Sequence, residues 1–181
     1  GTRLSEHALM ALGLELGADV PVFVRGLAAW GEGVGENLTP LDLHQPWYLV
    51  LAPPCEVSTA AVFGAEELTR NSTQIKISDF LSGDDGNDCL RVVRQRYPLV
   101  AEALEWLETV GRPRLTGTGA CVFAAFATAG QARAALAAAP RRFRAFIARG
   151  LNRSPMLDRL DDQEDSARCA HSMPPTPIGG G

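Results

Sequence analysis

Lysine is nearly missing from this chain: Lys76 is the only one, and all other basic side chains apart from histidine are arginine. That bias reflects genome composition more than function. Cysteine and histidine are also sparse. Cys55, Cys89, Cys121 and Cys169 form no CxxC pair, and His7, His44 and His171 add no zinc-like spacing, so no metal site is expected. Cys55, Cys89 and Cys121 read as buried, reduced thiols of a cytoplasmic protein. No apolar run approaches the roughly 20 residues of a membrane span, and no signal peptide is expected. The initiator Met is absent too, since the chain opens Gly1-Thr2-Arg3, as expected of a fragment. A net charge of −4 offers little to nucleic acid or an anionic membrane. The length of 181 residues suits one domain or one and a half.

The sharpest break in the pattern is Gly17-Ala18-Asp19-Val20-Pro21-Val22-Phe23-Val24-Arg25-Gly26. Upstream, Ser5 caps a helix that carries Leu9, Leu12 and Leu16 on one face. Gly17 ends it, expected in the left-handed conformation. Pro21 then favours an extended run. Asp19 is held at this corner, expected to be shielded by Val20, Val22 and Phe23. Its carboxylate either serves as a turn residue bonded to neighbouring amides, or accepts a proton or binds a cation.

Ala28 to Gly35 and Leu38 to Leu41 read as a glycine-bent hairpin, and Trp47 to Ala52 as a buried strand. Ser58 caps a short helix through Phe63. Residues 69–82 are polar, with only a possible strand or turn at 74–77. Asn87 caps a helix that Pro98 breaks, and the next helix runs to Gly111. Arg114 to Thr116 and Cys121 to Ala127 are strands around a Gly117-Thr118-Gly119-Ala120 turn. An alanine-rich helix over 131–139 and a last strand over 143–148 follow. Strand, helices, strand, strand, helix, strand is the order of an α+β, ferredoxin-like split βαβ sandwich. Asp161 to Asp165, then the Pro- and Gly-rich end, read as a disordered tail. The domains are thus expected at 1–40, 41–157 and a tail at 158–181.

Gly117-Thr118-Gly119 is either a tight hairpin or a turn whose amides approach a phosphate. Phe63 is either core or a stacking face for a planar ring, and Thr59 either a second cap or a hydroxyl aimed at a ligand. Trp30 and Trp47 read as core, and Arg141, Arg142 and Arg144 as a solvated face.

Four words occur in order: Gly17 to Gly26, Gly31 to Glu36, Leu115 to Phe123, and Ala148 to Asn152. Together they resemble the small-molecule kinases of the galactokinase, homoserine kinase, mevalonate kinase and phosphomevalonate kinase superfamily. Within it, the resemblance is to the branch that phosphorylates the 2-hydroxyl of 4-diphosphocytidyl-2-C-methyl-D-erythritol in non-mevalonate isoprenoid biosynthesis. It covers residues 5–157. It implies ATP and Mg2+ as cofactors and a cytidine-diphosphate small molecule as substrate. It casts Asp19 as the catalytic base, Thr59 and Phe63 as substrate contacts with the ring against cytosine, and Gly117, Thr118 and Gly119 as a turn near the phosphates. It further implies the end of a nucleotide-binding domain followed by the substrate domain.

The departures concern the other half of such a kinase. The partner lysine of the aspartate has no counterpart, and Lys76 does not match it. The glycine- and serine-rich ATP loop and the residues that clamp the far side of the cytosine are also unmatched. The chain alone is therefore expected to be inactive. Other readings are a homoserine or mevalonate kinase, or a non-catalytic ligand-binding module of the same fold.

Overall fold

The computed structural model describes residues 4–171 other than 74, 82, 84 and 85, and the backbone alone for 164–171. These residues form two compact units. One runs to Leu43 and resumes at Leu151; the other spans His44–Gly150. The sequence reading placed the divisions at 40/41 and 157/158.

In the first unit, Ser5 starts α1 (Glu6–Leu16), its hydroxyl accepting from the Ala8 amide at 3.2 Å. The leucine face is not the buried one: Leu12 is 51% and Leu16 85% exposed. Instead α1 packs through Gly13 on α2 (Val20–Arg25), where a Cβ would stand 2.9 Å from Val20 Cγ1. The helix α2 corrects the expected extended run. Pro21 lies in its first turn, where a missing N–H costs nothing and the fixed φ suits a helix. Packing on α1 then outweighs the β preference of Val and Phe. Gly17 also departs from expectation, for φ 169° and ψ 151° are ordinary extended backbone. Strands β1 (Ala29–Glu32) and β2 (Asn37–Pro40) pair antiparallel in the expected hairpin. Its turn carries Gly35 at φ 113°, where any Cβ would collide with the Ala18 carbonyl oxygen.

The second unit holds β3 (Trp47–Ala52), α3 (Thr59–Phe63), α4 (Ile77–Leu81), α5 (Cys89–Arg96) and α6 (Pro98–Glu108). It continues with β4 (Pro113–Leu115), β5 (Val122–Phe126), α7 (Ala129–Ala138) and β6 (Arg144–Arg149). The sheet runs β4-β5-β3-β6 and every neighbouring pair is antiparallel, the split βαβ order of an α+β, ferredoxin-like sandwich. Alternation along β3 and β5 sends Leu49, Leu51, Val122 and Ala124 inward with no exposed surface. They join a core with Val92, Val93, Val100, Ala103, Leu104 and Leu107 of α5 and α6. A capping box between Thr128 and Gln131 starts α7. The polar stretch after Thr69 holds a short helix, α4, from Ile77.

The chain returns to the first unit, where α8 (Pro155–His171) replaces the disorder expected from residue 158. Pro155 opens it, and the Ser154 hydroxyl accepts from the Met156 amide at 3.3 Å. Arg153 Nε donates to Asp158 at 2.7 Å, and its Nη2 pairs with Asp161. Leu157 lies over Gly26. Sparse apolar residues hide a helix that caps and ion pairs organise. The remaining expectation of disorder, over 172–181, lies outside the described residues, as do the side chains of Cys169 and His171. Among the described residues no helix is long and apolar enough to cross a membrane.

Candidate active site

Asp19 stands at the corner between α1 and α2 as the residue before the first turn, yet its side chain makes no capping hydrogen bond. It is exposed, and Phe23, expected to shield it, is 72% exposed. The corner itself is rigid. The Val20 amide donates to the Gly17 carbonyl at 3.1 Å, and Gly35 seals the far side against Ala18. A carboxylate on a fixed backbone, not bonded to local amides, is available to accept a proton.

The other candidate residues belong to the second unit. Ser58 caps α3 by accepting from the Ala61 amide at 3.2 Å. This sets Thr59 at the helix start and Phe63 at its end. Arg70 holds that end: its Nη2 donates to the carbonyls of Phe63 at 2.8 Å and Ala65 at 2.9 Å. The side chain of Phe63 is left 57% exposed, so it is not core. Thr59 Oγ1 lies 3.0 Å from Thr118 Oγ1, a hydrogen bond across 59 positions that joins α3 to the glycine turn.

The turn links β4 to β5. The Gly119 amide donates to the Thr116 carbonyl at 2.8 Å, and Gly117 and Gly119 have φ 50° and 96°. The two glycines differ in purpose. A Cβ at Gly119 would crowd Leu115 at 3.2 Å and touch Val57 and Val93, whereas at Gly117 nothing among the described residues lies within 4 Å. Gly119 answers to packing; Gly117 leaves open room for an anion to approach the backbone. Asn87 braces the turn through its side-chain amide. Neither Arg70 nor this brace was legible in the sequence, because nothing in local spacing ties residue 70 to 63 or 87 to 117.

Beside Phe63 opens a cleft of about 950 Å³, lined also by Tyr48, Val50, Phe80, Asn87 and Phe123. Thr59 and Thr118 are not on its wall. Tyr48 and Phe123 meet edge to face at 5.5 Å. The Cys89 thiol lines the cleft too. Burial pushes its pKa up and the Asp88 charge adds to this, so it stays a protonated, unreactive thiol.

Residues 67–145 match the family described as GHMP kinases C terminal. The chain is similar to the 4-diphosphocytidyl-2-C-methyl-D-erythritol kinase of Nitrosococcus oceani, at 52% identity over 160 residues, 88% of this chain and 57% of the relative. It is also similar to the kinase of the same name from Alkalilimnicola ehrlichii, at 53% over 167 residues, 92% of this chain and 57% of the relative. A crystal structure of 4-(cytidine 5′-diphospho)-2C-methyl-D-erythritol kinase superposes with a TM-score of 0.69 at 25% identity. That match covers 82% of this chain and 58% of the other. The chain thus spans somewhat over half the length of the curated relatives it matches.

In the second unit, the glycine turn is suited to a phosphate. Gly117 has the space an anion needs. Among the described residues, no three His, Cys, Asp or Glu side chains gather as metal ligands.

Proposed function

We propose that this chain is part of a 4-diphosphocytidyl-2-C-methyl-D-erythritol kinase, the enzyme that moves the γ-phosphoryl group of ATP to the 2-hydroxyl of that substrate. The observation that carries the reading is the identity of about half to kinases of that name across most of the chain. The roles follow residue by residue. Asp19 is the base. As the substrate hydroxyl oxygen forms its bond to the γ-phosphorus, the hydroxyl proton passes to the Asp19 carboxylate and ADP leaves with the electrons of the broken P–O bond. A base aimed at the acceptor suits a transfer in which positioning and charge stabilisation do most of the work. Phe63, exposed at the end of α3 and anchored by Arg70, supplies the face on which the cytosine stacks. Thr59 contacts the substrate from the start of the same helix. Gly117, Thr118 and Gly119 border the phosphates, with Gly117 offering backbone that a Cβ would otherwise block. The first unit is the end of the nucleotide-binding domain, and the protein works in the cytoplasm.

The test uses the longest reading frame containing this chain. With ATP and 4-diphosphocytidyl-2-C-methyl-D-erythritol the purified protein is expected to release ADP at a rate dependent on both. Phe63→Ala should weaken substrate binding by about 1–3 kcal/mol, the range for a base stacked on an aromatic ring. Turnover of homoserine or mevalonate instead, or of none of the three, overturns the reading.

A further inference from the structure

Asp88 is the residue before α5 and makes no side-chain cap, and Asn87 reaches past it. The Asn87 Oδ1 accepts from the Cys89 amide at 2.9 Å, a local contact that starts α5. Its Nδ2 points the other way and donates to the carbonyls of Gly117 at 2.8 Å and Leu115 at 3.3 Å. The reverse orientation of the amide would aim a donor at the Cys89 N–H and an acceptor at two carbonyls, so the arrangement fixes the group uniquely. Ser, Thr or Asp would cap as well. Only an amide side chain of this length serves an acceptor site and a pair of carbonyls together.

We propose that Asn87 is the positioning residue of the glycine turn. It ties the end of β4 and the Gly117 carbonyl to the start of α5, and so sets the backbone that presents Gly117 and Thr118. The constraint reaches the substrate helix as well, since Thr118 Oγ1 is hydrogen-bonded to Thr59 Oγ1. Among the described residues nothing stands within 4 Å of the Gly117 Cβ position, so no side chain among them packs there. The positive φ of Gly117 therefore depends on hydrogen bonds, and Asn87 supplies the one at its own carbonyl. The catalytic consequence rests on the kinase reading above; the structural one does not.

Asn87→Ser keeps a capping oxygen and loses the brace. In the chain as it stands, amide exchange at residues 117–120 should quicken by about tenfold or more, since local opening then lacks a tertiary hydrogen bond. The amides of Val92 and Val93 in α5 should keep their protection. In the longer active protein, kcat should fall by about tenfold to a hundredfold, the scale of a small misplacement of catalytic groups. The melting temperature should stay close to that of the unsubstituted protein. Asn87→Asp, which keeps the cap and sets a carboxylate against two carbonyls, should quicken exchange at the turn further. A folded Asn87→Ser with unchanged exchange at the turn overturns the proposal. So does equal loss of protection in α5 and the turn, or failure of both variants to fold, because either makes Asn87 a helix cap or a folding residue only. If the unsubstituted longer protein shows no turnover, the kinase reading falls and the exchange measurement still decides the role of Asn87.

Discussion

A carboxylate at the start of a helix ordinarily accepts from the amides of the first turn. Asp19 has that position and forms no such bond, although Ser5 and Ser58 do so at the starts of α1 and α3. Backbone geometry explains it: Asp19 is itself helical, at φ −85° and ψ −10°, rather than extended as a capping residue should be. The turn-residue reading of Asp19 therefore lacks the hydrogen bonds it needs. Asp19→Asn preserves shape and polarity and removes only the basicity. In the active protein it should lower kcat by ~10²–10⁴ while folding and substrate binding persist. The measurement is a steady-state titration beside a thermal melt. An intact kcat, or a melt that collapses, would return Asp19 to a structural role. Asp19, Thr59, Phe63 and the glycine turn stand out in the sequence because each sits at a break in periodicity. Their wiring does not: Thr59 meets Thr118 across 59 positions, which only the folded sheet brings together.

Elements were legible where the pattern was strong and local. The alternating apolar run of β3 and the helical apolar faces of α6 and α7 each match what forms. Legibility failed where position within an element decides what a residue does. Pro21 breaks a helix interior but starts a helix, and Val20–Arg25 therefore reads as strand and folds as α2. It failed again at α8, whose charged face gives no apolar period. Besides its cap and ion pairs, that helix makes one close approach, Leu157 over Gly26. Gly26 sits at φ 68°, and a Cβ there would stand 2.9 Å from two carbons of Leu157. Gly26→Ala adds left-handed strain to a clash that Leu157 must shift to relieve, a cost of about 1–3 kcal/mol. Faster amide exchange at Leu157 and Leu160, with β3 unaffected, is the expected result. Unchanged exchange there would mean that α8 docks without this contact.

At the scale of the whole molecule, buried apolar mass is unevenly shared. Every buried hydrophobic residue of the core, from Leu49 to Phe143, belongs to the unit His44–Gly150. The other unit has Gly13, Pro21 and Gly26 as its buried residues among those described, and it leaves Leu12, Leu16 and Phe23 exposed. Hydrophobic burial is the main favourable term in folding, at about 25 cal/mol per Å². The unit that owns the core should therefore own the stability. A protein of residues 44–150 alone is expected to fold, with a single cooperative urea transition and a slope of about 1–3 kcal/mol per molar. In the full chain, amides of α1 and α2 should exchange much faster than those of β3 and β5, because their opening exposes little apolar surface. Leu49→Ala, which empties the centre of the sheet, should cost about 2–5 kcal/mol and move the urea midpoint of both proteins alike. Exchange in α1 as slow as in β3, or a 44–150 protein that melts without cooperativity, would mean that the two units share one folding transition and that the core of residues 44–150 is not sufficient by itself.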